Sequence, residues 1–574
     1  MADRIADDGQ PLWLMAVLGI LVGVVAGFGA WIFRLLIGLV HNLLFLGEPQ
    51  LYYDANLHTP AGPFGAAIIL APVIGSVVVT FLVKTFAPEA KGHGVPEVMD
   101  AIHYNDGRIR PQVAVVKSIA SAVSIGSGGS VGREGPIIQI GAAFGSTLGA
   151  IFRLPPRQKI ILICAGAGGG IAATFNAPLG GVLFAIELLL LSVNARSLLP
   201  VALGTMTATY IGRWLLSTHP SFDVPDLVIP DFHLVQGWGL VLFLPLGLIM
   251  GLVCWVFVRG IYWAEDRFDD LIRNDYLRHA LGMLAVGVMI WLMLRFAGNY
   301  YIQGVGYAAI MDVLQGALSD PLFLLLLFAL KYVATCLTLG SGGSGGVFSP
   351  SLFMGATVGA AFGVGCHELF PALAITVPVF AIAGMAAAVG GTTGAVLTAS
   401  VMVFEMTLDQ RAILPIVVTV VIAYALRKYL SPDSIYTLKL RRRGHVVPEG
   451  LQAAVDDARA VRHAMSDRYR MARPDALAVP GREPVVVERD GTIVGVVPPL
   501  PDGSSRPVGD LPMARLVFVP PEAPLVATQR EMHREGADYA LVLKAPGQKR
   551  AADIVGILGP VEIAACSCRT ARLL

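Results

Sequence analysis

Long apolar runs dominate the 574-residue chain from about residue 12 to 430, and polar sequence takes over after 438. A helix needs roughly 20 apolar residues to cross a bilayer. Residues 12–46, 64–85, 196–217, 234–260, 279–297, 321–338 and 411–430 reach or approach that length. Residues 112–125, 135–152, 159–173, 177–192, 348–366, 376–389 and 392–406 are apolar but interrupted, with Gly and Pro at their ends, as in GHGVP (92–96) and FNAPLGG (175–181). Non-helical backbone at membrane depth must be buried in protein or line a watery cavity. Half-length helices broken by glycine therefore predict a transporter or channel whose helix ends meet near the midplane. A receptor or an anchored enzyme does not need them.

Composition agrees. Charged residues make up 14% of the chain, against roughly 25% in soluble proteins, and the mean hydropathy is +0.67. The expected layout is a cytoplasmic N-terminus at 1–11, a membrane domain at 12–444 and a polar domain at 445–574. The membrane domain divides into halves at about 12–217 and 234–430, with a closing helix at 433–440. The net charge of +1 comes without a basic, aromatic-interleaved patch, so nucleic acid is not an expected partner. Six scattered cysteines with no CxxC pair predict buried thiols and no metal site. The acidic start MADRIADDGQ has no basic signal-peptide region. The basic stretches RLPPRQK (153–159) and KLRRRG (439–444) mark the cytoplasmic side, which places the C-terminal domain there too.

GSGGS occurs at 126–130 and again at 340–344, an offset of 214. The register continues without a gap: Gly132 meets Gly346, Pro136 meets Pro350, Gly141 meets Gly355 and Gly145 meets Gly359. FNAPLGGVLFAIE, ending at Glu187, and GGTTGAVLTASVMVFE, ending at Glu405, form a looser second pair. Repeats of this kind are often inverted in the membrane, with the substrate site at their interface.

Each glycine segment leads through Pro into a small-residue helix. The first N–H groups of a helix lack internal partners and carry partial positive charge. They bind an anion without a full countercharge, and conduction needs release as well as binding. GHGVP is a third such N-terminus. The competing reading is that these glycines serve only tight helix packing. Glu134, a carboxylate inside the first segment, argues for a site.

GREGP (132–136), GGVFSP (345–350), GHGVP, FNAPLGGVLFAIE and SIYTLKLRRRG (434–444) occur in this order. Together they resemble the CLC family of chloride channels and chloride/proton antiporters, over residues 15–444. The resemblance implies an all-α polytopic membrane fold of two inverted repeats, a homodimer, and a bacterial-type inner membrane location. It implies an anion held by backbone N–H groups of Val347 and Phe348, by those around Arg133, Glu134 and Gly135, and by the Tyr436 hydroxyl. Glu134 matches the gating glutamate, which competes with the anion when ionised and swings out when protonated. His93 stands where the family usually has serine. It either donates to the anion or turns to a backbone carbonyl. Leu188 stands where proton-coupled members have a second glutamate. That change tips the expectation toward a passive channel, with chloride/proton antiport as the alternative. Glu187 and Glu405 match family glutamates and are expected to be structural.

Beyond 450, β-like runs at 484–498, 516–520, 539–544 and 553–559 alternate with helical stretches near 453–466 and 524–536. DGTIVGVV and ADIVGILGPVEIA resemble parts of CBS modules, which implies a cytoplasmic α/β CBS-like pair. Its first copy is shortened between Met471 and Val485. Adenine nucleotide is the ligand to consider there, and dimer packing or stability the expected role. An enzyme is not expected. GGSG (342–345) fits an intramembrane serine protease pattern, but the first repeat reads GGSV, and His367 is expected in a loop.

Overall fold

The computed structural model describes residues 10–216, 221–222, 224, 238–371, 375–445, 447, 460–478, 480–481, 483–500, 506–523, 525–544 and 550–563. The chain forms two compact units, Met1–Leu451 and Gln452–Leu574.

The first unit is helical. Its first half holds α1 (Leu12–His41), α2 (Leu70–Phe86), α3 (Val95–Tyr104), α4 (Pro111–Gly126), α5 (Glu134–Ile151), α6 (Pro156–Phe175), α7 (Pro178–Phe184) and α8 (Ala195–Leu215). After the short α9 (Trp238–Val241) the second half repeats the series. It holds α10 (Phe243–Leu271), α11 (Asp275–Ala297), α12 (Tyr307–Leu314), α13 (Pro321–Ser341), α14 (Phe348–Leu369), α15 (Val377–Thr393), α16 (Val396–Thr407) and α17 (Ile413–Leu430). α18 (Ile435–Arg442) closes the unit, two residues later than the sequence placed it. Among the described residues, eight helical stretches are long and apolar enough to cross a membrane. α4, α7, α15 and α16 are too short, so their ends lie inside the protein.

The packing repeats as the order does. α5 packs on α6 as α14 does on α15, and α1 on α8 as α10 does on α17. α2 meets its counterpart α11, and α7 meets α16. Proline opens α4, α6, α7 and α13, where its missing N–H costs no helical bond. In both halves a glycine lets two helices cross closely. A Cβ on Gly141 would strike the backbone of Gly166, and one on Gly355 the backbone of Gly384. These two glycines do serve packing, as small residues do between membrane helices. α7 runs into a π-turn at Ala185–Leu189 that carries Glu187 and Leu188. His367, expected in a loop, lies in the last turn of α14, and its Nε2 lies 2.8 Å from the Ile375 carbonyl. α14 runs three residues beyond its expected end, through His367, Glu368 and Leu369.

The second unit contains two three-stranded sheets of the same topology. In one, β1 (Arg470–Ala472) pairs parallel with β2 (Val485–Arg489), which pairs antiparallel with β3 (Thr492–Val497). In the other, β4 (Leu516–Val519), β5 (Tyr539–Leu543) and β6 (Ile554–Leu558) do the same. α19 (Leu525–Glu535) joins β4 to β5, whereas no helix joins β1 to β2 among the described residues. Val486, Ile493 and Val496 share a core with Leu541, Leu543 and Ile557, so the sheets bury one another. The first half of the helical stretch expected near 453–466 lies outside the described residues. Within them it is a single turn, Val461–His463.

Candidate anion site between the repeats

The two glycine segments are bonded to each other. The Gly132 N–H donates to the Gly346 carbonyl at 2.7 Å, and the Gly346 N–H donates back at 2.6 Å. These residues are equivalent in the repeat, and an antiparallel bridge between equivalents is the pairing that a two-fold axis requires. The third segment is stitched to the second: Gly92 N–H donates to Gly343 O at 3.0 Å and Gly345 N–H to Gly92 O at 3.2 Å. At the centre a Cβ on Gly135 would collide with the His93 carbonyl oxygen and come within 3.1 Å of Gly346 Cα. Only glycine allows the three backbones this close.

α3, α5 and α14 therefore start at one place. None of the three has a side-chain N-cap, unlike α8, α11, α13 and α18. Among the described residues the N–H groups of Glu134, Gly135, Val347 and Phe348 have no hydrogen-bond partner. Four free donors at converging helix starts make a positive, dehydrated pocket edge.

Glu134 is fully buried and points at the opposite repeat. Its Oε2 accepts the Ser349 N–H of α14 at 3.4 Å. Its Oε1 accepts the Tyr307 hydroxyl at 2.6 Å and the Ser349 hydroxyl at 2.5 Å. The carboxylate thus sits where an anion would sit on the N-terminus of α14. Phe348, equivalent to Glu134 in the repeat, turns instead to Phe175, with ring centroids 5.2 Å apart.

His93 is buried, and its Nδ1 has no hydrogen-bond partner among the described residues. Its ring centroid lies 6.2 Å from that of Tyr436 and 6.3 Å from that of Tyr262. Tyr436 is buried on α18. That helix is fixed by a Ser434/Thr437 capping box and by the Tyr262 hydroxyl donating to the Ile435 carbonyl. Glu97 of α3 also binds Lys439 at 3.3 Å and Arg443 at 2.9 Å. Arg133 is 8% exposed, stacks 5.1 Å over the Tyr307 ring, and leaves Nε without a partner among the described residues. It lines a small cavity with Arg34, His41 and Gln303.

Glu187 and Glu405 do different work. Glu187 accepts the N–H groups of Leu397 and Thr398, at 3.0 and 2.8 Å, and the Thr398 hydroxyl at 2.7 Å. Glu405 accepts the N–H groups of Leu179 and Gly180, at 3.1 and 2.7 Å. Each acid caps the start of the other's helix, α16 or α7. Leu188, next to Glu187, is buried in the π-turn. Ser344 bonds the Ala90 carbonyl at 2.6 Å and lies 2.9 Å from the Ser121 hydroxyl, which leaves the protease motif as loop structure.

Sequence reasoning passed over four residues here: Tyr307, Ser349, Lys117 and Lys331. Both lysines are fully buried. Lys117 Nζ donates to the carbonyls of Ala90 and Gly92, and Lys331 Nζ to those of Ile302 and Gly304, all at 2.7–3.0 Å. A signal for them existed. GVGYA (304–308) is the counterpart of GHGVP at an offset of 212, and the lysines lie 214 apart.

Two inverted helical repeats with broken helices meeting at a buried carboxylate define a membrane transport protein for anions. The sequence model described as Voltage gated chloride channel matches residues 75–428, more than half of the chain. The chain belongs to that family, the CLC chloride channels and transporters. The H(+)/Cl(-) exchange transporter ClcA of Vibrio parahaemolyticus is 33% identical over 452 residues, covering 77% of this chain and 92% of that protein. The ClcA of Vibrio cholerae is 34% identical over 450 residues, covering 76% and 91%. Among solved structures, a slow cyanobacterial Cl-/H+ antiporter is similar with a TM-score of 0.66 and 28% identity. That match covers 76% of this chain and 98% of the other. A eukaryotic CLC transporter, 19% identical, shares the fold with a TM-score of 0.63 over 96% of this chain and 99% of its own.

Proposed function

We propose that this protein exchanges chloride for protons, with Glu134 as the residue that couples them. The observation that carries the reading is the Glu134 carboxylate on the Ser349 N–H of the opposite repeat. In that place it competes with an anion while ionised, and protonation frees it. The names of relatives at 33–34% identity, H(+)/Cl(-) exchange transporters, support exchange over passive conduction. The anion contacts in this reading are the N–H groups of Gly135, Val347 and Phe348, the Tyr436 hydroxyl and the unpartnered His93 imidazole. Arg133 supplies positive potential beside them.

Leu188 favours the second reading, a passive channel. A leucine carries no proton, and the Glu187 carboxylate is occupied by α16. Exchange then requires protons to reach Glu134 from inside by water. Purified protein in liposomes, given an outward chloride gradient and a pH electrode, separates the two. Uphill proton entry at a fixed ratio to chloride establishes exchange, and chloride flux without proton movement makes the protein a channel. The homodimer, the inner-membrane location, and a cytoplasmic CBS-like pair made by the two sheets belong to the same proposal. The link between β1 and β2, which holds no helix among its described residues, favours a packing role for that pair over adenine-nucleotide binding.

A further inference from the structure

We propose that Tyr307 and Ser349 form a hydroxyl latch on Glu134, as positioning residues that hold the carboxylate closed and pair with each other when it leaves. The inference rests on Glu134 being the gate.

The three side chains form a closed triangle: Tyr307 Oη to Glu134 Oε1 at 2.6 Å, Ser349 Oγ to the same oxygen at 2.5 Å, and the two hydroxyls 2.9 Å apart. All three residues are at most 1% exposed. Each hydroxyl has one hydrogen. With Glu134 ionised, both hydrogens point at Oε1, and every polar atom of the triangle is satisfied. When a proton arrives on Oε1, that oxygen no longer accepts two strong bonds. The Tyr307 O–H then turns to Ser349 Oγ, which is already in hydrogen-bond range. Departure of the neutral acid therefore leaves the two hydroxyls joined by one bond, and only the Ser349 hydrogen has lost its acceptor. The hydroxyls thus have two bonded arrangements, both on the carboxylate or one on the other, and the proton selects between them.

The rest of the site keeps the latch in place. Tyr307 is the first residue of α12. Its ring lies between Arg133, 5.1 Å from the centroid, and the edge of Phe222, 5.2 Å away. Lys331 of α13 clamps the loop that precedes it. The charged and titratable groups around Glu134 are Arg133 beside it, Tyr307, Lys331, Tyr436 of α18, His93 before α3, and Arg34 of α1 across the cavity. Ser349→Ala alters none of them. Tyr307→Phe removes one hydroxyl and keeps the ring in its stack.

The test is chloride flux against pH in proteoliposomes for wild type, Tyr307→Phe, Ser349→Ala and Glu134→Gln. A donor lost from a carboxylate favours its neutral form. The pH of half-maximal flux is expected to rise by about one unit for each hydroxyl removed. In the Glu134→Gln background the profile is expected to be flat, and Tyr307→Phe leaves it flat. Wild-type profiles in both Tyr307→Phe and Ser349→Ala, with a flat Glu134→Gln, overturn the latch and leave the gate standing. A wild-type profile in Glu134→Gln overturns the gate itself. If Tyr307→Phe does not fold, Ser349→Ala decides alone.

Discussion

Lys117 and Lys331 are equivalent residues of the two repeats, and each buries its ammonium against two carbonyls of an equivalent loop. One loop carries His93 and leads into α3, and the other leads into Tyr307 and α12. Each lysine thus ties down the loop that leads into a helix start.

The two clamps are not equally replaceable. The Ala90 carbonyl also accepts the Ser344 hydroxyl, and the Gly92 carbonyl also accepts the Gly345 N–H. The carbonyls of Ile302 and Gly304 have no second partner among the described residues. An orphaned buried carbonyl costs about 1–3 kcal/mol. Lys331→Met is therefore expected to lower the thermal midpoint in detergent well below that of Lys117→Met. Equal midpoints contradict the assignment.

Glu187 and Glu405 cap each other's helices, so losing either removes two charge-assisted bonds to N–H groups. Alanine at either position is expected to cost about 1–2 kcal/mol of stability, as loss of a helix cap does. Chloride and proton transport per folded molecule remain coupled as in wild type. Selective loss of proton movement in Glu187→Gln, with chloride flux kept, makes that residue a proton carrier and sinks the capping role.

Gly135→Ala puts a methyl group into the His93 carbonyl and against Gly346 Cα, and backbone cannot step aside. Overpacking costs about 1–3 kcal/mol, and here it also separates the three helix starts. Transport is expected to be lost. Gly365→Ala is the control, because nothing lies within 4 Å of its added Cβ, and it is expected to behave as wild type. Full activity of Gly135→Ala in the same flux assay removes the argument for convergence.

The membrane half was legible in the sequence to the extent that one register ran through it. The offset of 214 joins Gly132 to Gly346, and the structure bonds those two residues directly. The acid of GREGP stood out because it was a carboxylate in an apolar stretch and its counterpart is Phe348. Tyr307 stayed hidden for a geometric reason, whereas the lysines sat in the register of 214 and only their side-chain direction shows the clamp. The loops before α3 and α12 are offset by 212, so an ungapped comparison ends before it reaches GVGYA. Ser349 lay inside the quoted motif, but its meaning depends on a carboxylate 215 residues away. Helix ends followed from Pro and Gly within a few residues. The clamp and cap roles needed side-chain directions, which spacing alone does not give.

The leaning toward a passive channel came from one position, Leu188. Exchange gains from relatives that share a third of their residues with this chain. Simultaneous chloride and proton flux in liposomes, on wild type and Glu134→Gln side by side, tests the account most directly. The account predicts that an outward chloride gradient drives protons uphill in wild type, while Glu134→Gln passes chloride at every pH and moves no protons. Chloride flux without proton movement in wild type, or proton coupling that survives in Glu134→Gln, contradicts it.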